Sequence, residues 1–229
     1  MERLTASPHV IDIFGFCGHS VISEFADGSR LGSLADKAKK KPLERLKIAR
    51  DIADGLADVH AMGDSDDVAS FVHLDVNPAN VVSINGRLKL NDFNIGILRR
   101  WNTTSGEACG FPSQYPNPQW RSPEESRNDQ NLTEKVDVFS LGHILFRLIA
   151  GHEPWNYFEP NGRPPRAELL EKVASGELPT IPTTILESSD PEEIAIRDAM
   201  LGCYTADPTQ RPSARSVALS LQEALDRLS

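Results

Sequence analysis

The sequence predicts an α+β fold, a small β piece followed by a mainly helical body, and three observations predict it. Residues 11–17 and 21–25 are apolar, β-branched and aromatic, and Gly18-His19-Ser20 splits them as a turn. Behind Pro42, apolar groups recur at Leu46, Ala49, Ile52, Ala53, Leu56 and Val59, which is helical spacing. Residues 138–149 are apolar on almost every side and end at Gly151, the pattern of a helix buried in a core.

Taken in order, 11–25 forms a hairpin, which is marginal alone in water and must pack on something. Residues 31–39 form a short helix and 42–62 a longer one, with Lys37, Lys39, Lys40 and Lys41 a solvated junction between them. Residues 63–69 are polar and acidic, a surface loop. Val81-Val82 and Leu88 to Leu90 flank Asn85-Gly86, the strongest short hairpin signal. Residues 99–132 carry little periodicity and many Pro, Gly, Ser and Asn, so a long loop is expected there. Amphipathic helices follow at 168–175 and 192–203, and a last helix at 213–228, joined by Pro-rich stretches at 154–165 and 179–191.

The chain has 229 residues, 39% hydrophobic and 25% charged, enough for one buried core. A net charge of −9 argues against a nucleic-acid surface. Three widely spaced cysteines (Cys17, Cys109, Cys203) fit neither a disulfide framework nor a zinc site, which points to a reducing compartment. The start MERLTASPHV lacks a signal-peptide pattern and no apolar run reaches membrane-spanning length, so a cytoplasmic protein is expected. The glycosylation-like triplets at Asn102 and Asn131 then read as chance.

HLDVNPAN (His73 to Asn80) and LNDFNIG (Leu90 to Gly96) carry the chemistry. Asp75 and Asn80, taken singly, read as turn caps. Twelve residues beyond Asn80, across the expected hairpin, stands Asp92, and the hairpin returns it beside Asn80 so that both can reach one cation. This is the spacing of a phosphoryl-transfer site, in which one Asp orients the attacking hydroxyl while an Asn and a second Asp hold magnesium.

These loops resemble the eukaryotic protein kinase family, and further motifs extend the resemblance over nearly the whole chain. Trp120-Arg121-Ser122-Pro123-Glu124 is similar to its APE motif, Asp137-Val138-Phe139-Ser140-Leu141-Gly142 to the start of its buried central helix, and Asp207-Pro208-Thr209-Gln210-Arg211-Pro212 to its distal DPxxRP motif. Pro8-His9-Val10 and Ser23-Glu24-Phe25-Ala26 resemble the approach to the fourth strand and the hinge. The resemblance implies a protein-kinase-like fold in a single domain, residues 1–229. Residues 1–26 would be a remnant of the small lobe with the hinge, and 27–229 the helical large lobe. It implies ATP and Mg2+ as cofactors and a protein as substrate, with no nucleic acid and no membrane segment.

The resemblance also implies roles. Asp75 becomes the catalytic base, with Asn80 and Asp92 as the magnesium ligands. The Glu24 and Ala26 backbones meet the adenine edge, Ser23 takes the gatekeeper position and Val82 floors the pocket. Glu124 and Arg211 form a buried ion pair, Asp137 clamps the catalytic-loop backbone, and His73 and Phe93 pack in the column joining the lobes. Four departures stand against this pattern. Leu74 replaces the Arg that pairs with a phosphorylated activation loop. Asn77 stands where Ser/Thr kinases have Lys, and Asn94 replaces a Gly, being the next best residue for a positive φ. The chain contains no Gly-rich loop, no strand-three Lys and no partner Glu. The expected function is phosphoryl transfer from Mg-ATP to a protein hydroxyl, Ser or Thr rather than Tyr, with weakened ATP affinity. A binding or scaffold pseudokinase and a small-molecule phosphotransferase remain as alternatives.

Overall fold

The computed structural model describes residues 7–18, 20–26, 28, 30–62, 68–114, 118–156 and 164–228. His19 of the first turn, 63–67 of the acidic loop, Tyr115 and 157–163 of a Pro-rich connection lie outside the described residues. In chain order the elements are β1 (Ile13–Cys17), β2 (Ser20–Ser23), α1 (Leu31–Ala38), α2 (Pro42–His60), β3 (Phe71–Val72), β4 (Val81–Ile84), β5 (Arg87–Leu90) and β6 (Ile97–Leu98). There follow β7 (Trp101–Asn102), β8 (Glu107–Ala108), α3 (Pro123–Ser126), α4 (Lys135–Ala150), α5 (Arg166–Ala174), α6 (Thr183–Leu186), α7 (Pro191–Cys203) and α8 (Ala214–Leu228). The predicted α+β class holds: helices make the body and every sheet is a two-stranded antiparallel pair.

Helix α4 is the axis of the body. Every residue from Val136 to Ile149 is buried, and Gly151 ends the helix at φ +76, a left-handed cap that costs glycine little. Helix α7 packs on α4 at Gly142, where an added Cβ would stand 2.9 Å from both Cys203 and Tyr204. Helix α2 presents Leu46, Ala49, Ile52, Ala53 and Leu56 to the same core, and α8 packs against it. Pro42 at the first turn of α2 supplies a preset φ where its missing N–H is not needed.

The hairpins do different work. In β4–β5, Asn85 (φ +51) and Gly86 (φ +77) make the two-residue turn that the Asn-Gly pair predicts. The β1–β2 hairpin is tied to the body through the residues before it. Val10 bridges Leu90 in parallel, the Ile11 amide donates to the Leu90 carbonyl at 2.9 Å, and the Leu90 amide to His9 at 2.8 Å. The strands themselves face solvent: Phe14 and Phe16 are 70% and 80% exposed, and Val21 and Ile22 are exposed too.

Three sequence expectations are corrected. Residues 99–132 are not structureless, since β7–β8, a 3-10 turn at Pro118–Trp120 and α3 lie within them. Such two- to four-residue elements are shorter than any periodicity test can register. The stretch 179–191 holds α6, and β3 pairs with β6 across 25 residues of chain, a contact no local pattern announces. Asn94 does not take a positive φ. It sits inside a turn closed by the Gly96 amide on the Phe93 carbonyl at 3.1 Å, and the left-handed residue is Asp92, at φ +66. A turn of the type I class needs no positive φ at its centre.

Candidate active site

Asp137, at the start of α4, organises the site from below. Its Oδ2 accepts from the His73 amide at 2.7 Å and its Oδ1 from the Leu74 amide at 2.8 Å, while His60 Nε2 stands 3.0 Å from Oδ2. Burial would raise this carboxyl, but the hydrogen bond and charge of His60 and the His73 amide hold it below the usual carboxylate range. Two successive backbone amides aimed at one carboxylate require a sharp turn, and Leu74 makes it at φ +63.

The loop above is cross-tied. Asn80 Nδ2 donates to the Asp75 carbonyl at 2.9 Å and to Asp75 Oδ2 at 2.7 Å. Asn77 caps the 3-10 turn Pro78–Asn80: its Oδ1 accepts from the Ala79 amide at 2.8 Å and its Nδ2 donates to the Asp75 carbonyl at 3.1 Å. Both ends of Asn77 are thus spent on the loop's own backbone. The amide of Asn91, beside Asp92, donates to the Asn80 carbonyl at 2.9 Å, so the hairpin brings Asp92 next to the loop in the way the spacing requires. Asp92 itself is exposed.

His73 links the two loops. Its Nδ1 accepts from the Asp75 amide at 3.2 Å and its Nε2 donates to the Asn91 carbonyl at 3.0 Å. Burial lowers its pKa, so the ring is a neutral hydrogen-bonded brace. It packs on Phe93 with centroids 4.8 Å apart, and Phe93 meets Phe71 edge-on at 6.1 Å. Gly96 allows this packing, since a Cβ there would fall 2.2 Å from the Phe71 ring.

On the other side lies the segment that follows β2. Glu24 donates its amide to the Asp12 carbonyl at 3.0 Å, and its side chain accepts from Lys89 Nζ at 2.6 Å and from the Asp12 amide at 3.0 Å. Burial would raise the Glu24 carboxyl, but Lys89 and the Asp12 amide hold it below its ordinary value. Lys89 pairs with Val82 across β4–β5, and opposed residues of an antiparallel pair share a face, so Val82 lies on the same face of the hairpin as Lys89. The Gly28 amide donates to the Ser83 carbonyl at 3.1 Å, laying the chain after Ala26 along β4. Ser23 and Ala26 are exposed.

A buried ion pair braces the segment in front. Arg211 Nη1 is 2.7 Å from Glu124 Oε1, donates also to the Lys135 carbonyl at 2.6 Å, and its Nε donates to the Thr205 carbonyl at 3.1 Å. Serine 122 caps α3 in a reciprocal capping box with Glu125. Three contributors escaped the sequence reading: His60 beneath Asp137, Lys89 behind the hinge, and Arg121, whose Nη2 stands 3.4 Å from Asp75 Oδ1. Each acts across more than forty residues of chain, and only the Trp120 to Glu124 motif hinted at the third.

The donor set suits a small hard cation. Asn80 gives its amide nitrogen to Asp75, which leaves its side-chain oxygen free of that bond, and an amide oxygen and the Asp92 carboxylate are both the ligand type Mg2+ takes. Among the described residues no cluster of three His, Cys, Asp or Glu groups is placed to hold a metal by itself. A groove of about 630 Å³ between α7 and α8 contains none of these residues.

A helical body built on α4, carrying a cross-tied Asp/Asn loop and a returning Asp, defines a protein kinase domain. The chain belongs to that family: the sequence model of the protein kinase domain matches residues 1–220. It is 28% identical over 201 residues to the mitogen-activated protein kinase kinase kinase MCK1 of Pyricularia oryzae, covering 86% of this chain and 12% of that protein. It is 27% identical over 222 residues to human mitogen-activated protein kinase kinase kinase 7, covering 92% and 32%. It is 26% identical over 212 residues to the serine/threonine-protein kinase VIK of Arabidopsis thaliana, covering 91% and 44%. The chain thus spans less than half the length of these relatives. No helix among the described residues is long and apolar enough to cross a membrane.

Proposed function

We propose that this chain catalyses phosphoryl transfer from Mg-ATP to a protein hydroxyl, Ser or Thr rather than Tyr. The observation that carries the reading is the Asp75–Asn80 pair held over Asp137, with Asp92 returned beside it. Asp75 accepts the hydrogen bond of the acceptor hydroxyl and aims its oxygen. Asn80 fixes Asp75 through its amide nitrogen and, with Asp92, offers oxygen to magnesium, which when bound neutralises phosphate charge. The backbones of Glu24 and Ala26 meet the nucleotide base, with Val82 beneath it. Asp137 and His73 hold this geometry without touching substrate, as do Glu124 and Arg211 further out. The division into a hinge-bearing part, residues 1–26, and a body, 27–229, belongs to the same reading. The preference for Ser or Thr follows the likeness to a named serine/threonine-protein kinase.

Replacing Asp75→Asn tests the role of the base. Transfer to a generic protein acceptor, followed with labelled ATP, should fall by about 10²–10⁴-fold while Mg-ATP binding persists. Transfer that survives the substitution would remove Asp75 from this role. A second reading, a binding module without turnover, is favoured by the uncharged Asn77 and is supported instead if nucleotide binds and nothing is transferred.

A further inference from the structure

We propose that Arg121 is the residue that positions Asp75 for reaction, a role that rests on Asp75 acting as the base. Arg121 lies just before the α3 cap and is only 6% exposed. Its guanidinium spans two carboxylates: Nη2 stands 3.4 Å from Asp75 Oδ1 and Nη1 3.4 Å from Glu125 Oε1. Its Nε has no hydrogen-bond partner. The two oxygens of Asp75 are therefore held separately, Oδ2 by Asn80 and Oδ1 by Arg121. A carboxylate tied at both oxygens cannot rotate about its terminal bond, and it presents a fixed lone-pair direction to a hydroxyl.

The support for Arg121 is itself rigid. The Trp120 carbonyl accepts from Ser140 Oγ of α4 at 2.6 Å, and Ser122 is locked by Glu125, which accepts from its amide at 2.9 Å and its hydroxyl at 2.8 Å. Glu125 is buried and anchors the far side of the guanidinium. The buried guanidinium, pinned on one side by Glu125 and turned to the base on the other, puts positive charge beside the Asp75 carboxylate. Asn77 supplies none, because its side-chain amide is uncharged, and both its ends are engaged with backbone. Arg121 thus contributes from the front of the site what the loop itself lacks.

The test compares Arg121→Met and Arg121→Lys in the purified protein. Arg121→Met should lower kcat roughly 10–100-fold and leave KM for ATP within about twofold, because the side chain meets the base and not the nucleotide. Arg121→Lys, which keeps a charge without the fork, should recover part of that loss. Amide exchange in 73–80 should rise in Arg121→Met at a temperature where the variant remains folded. An unchanged kcat, or a loss shared equally by both variants and by KM, would overturn the proposal. If the wild-type protein transfers nothing, or Asp75→Asn changes nothing, the base reading falls. Unaltered exchange in 73–80 of Arg121→Met would then dispose of Arg121 as well.

Discussion

Burial shifts the Glu125 carboxyl and the His143 imidazole in opposite directions. Burial, only partly offset by Arg121 and Ser122, pushes the Glu125 carboxyl up to about 7. Burial likewise pushes His143 down to about 3, where its Nδ1 meets the Tyr204 hydroxyl at 2.7 Å. A carboxyl whose folded pKa is raised binds its proton more readily folded than unfolded, so its share of stability grows as pH falls from about 7 towards its unfolded value. A histidine whose folded pKa is depressed behaves in reverse: stability is lost as pH falls below the unfolded value of 6.5. Between about pH 6.5 and 5 each effect amounts to roughly 2 kcal/mol and the two oppose each other. His73, also lowered by burial, adds to the acid loss. Glu125→Gln keeps the cap of α3 and removes the compensating carboxyl. Urea melts of this variant should show about 2 kcal/mol more loss than wild type on going from pH 6.5 to 5. Parallel pH profiles for the two proteins would show that Glu125 is ionised throughout.

Among the elements, the β1–β2 hairpin and the segment around Leu74 show opposite uses of apolar surface. Leu74 joins Val72, Phe111, Leu132 and Val136 in a small buried cluster, with Ile95 and Ile97 against it. Phe111 and Leu132 are also bridged through their backbones, at 3.1 and 2.8 Å. Leu74, at the position where the resemblance would place an Arg for a phosphate, instead packs against Phe111. The hairpin instead leaves Phe14, Phe16, Val21 and Ile22 to water while its root is tied to β5. Two short strands with apolar groups outward form an edge that invites pairing with another chain. Replacing Phe14 and Phe16 by Ser should reduce self-association in light scattering and shift the melting temperature by no more than about 2 °C, since neither side chain is buried. A large drop in melting temperature would mean that the hairpin is part of the cooperative core.

At the scale of the whole molecule, the groups proposed to meet a nucleotide, the Glu24 and Ala26 backbones, Val82, Asn80 and Asp92, belong to the segment after β2, to β4 and to the loops flanking β4–β5. A net charge of −9 disfavours an anionic ligand. At millimolar Mg-ATP, near an equally weak Kd, linkage supplies only about 0.4 kcal/mol. For a domain of this size that is a rise in melting temperature of roughly 1–2 °C. A shift of about 5 °C or more would show phosphate contacts that this geometry does not supply.

Much of the fold was legible because its signals are local. Pro42 and the helical spacing behind it, Asn85-Gly86, and the all-round apolar run of α4 each specify an element through its own neighbours. The loop proposed as catalytic has local signals too: Asn80 reaches Asp75 across five residues, and a short hairpin separates Asn80 from Asp92. What lay beyond the sequence is long in separation. Arg121 against Asp75, His60 under Asp137, Lys89 against Glu24, and β3 against β6 each join segments that no periodicity connects. The positive φ at Asp92 rather than Asn94 belongs with them, because the returning strand and the turn at Gly96 together decide it. By itself the sequence determined which residues could do phosphoryl chemistry, since chemistry follows residue type and short spacing. Only the tertiary structure decided that Arg121 meets Asp75 and Lys89 meets Glu24, because those pairs depend on how distant segments pack around a buried α4.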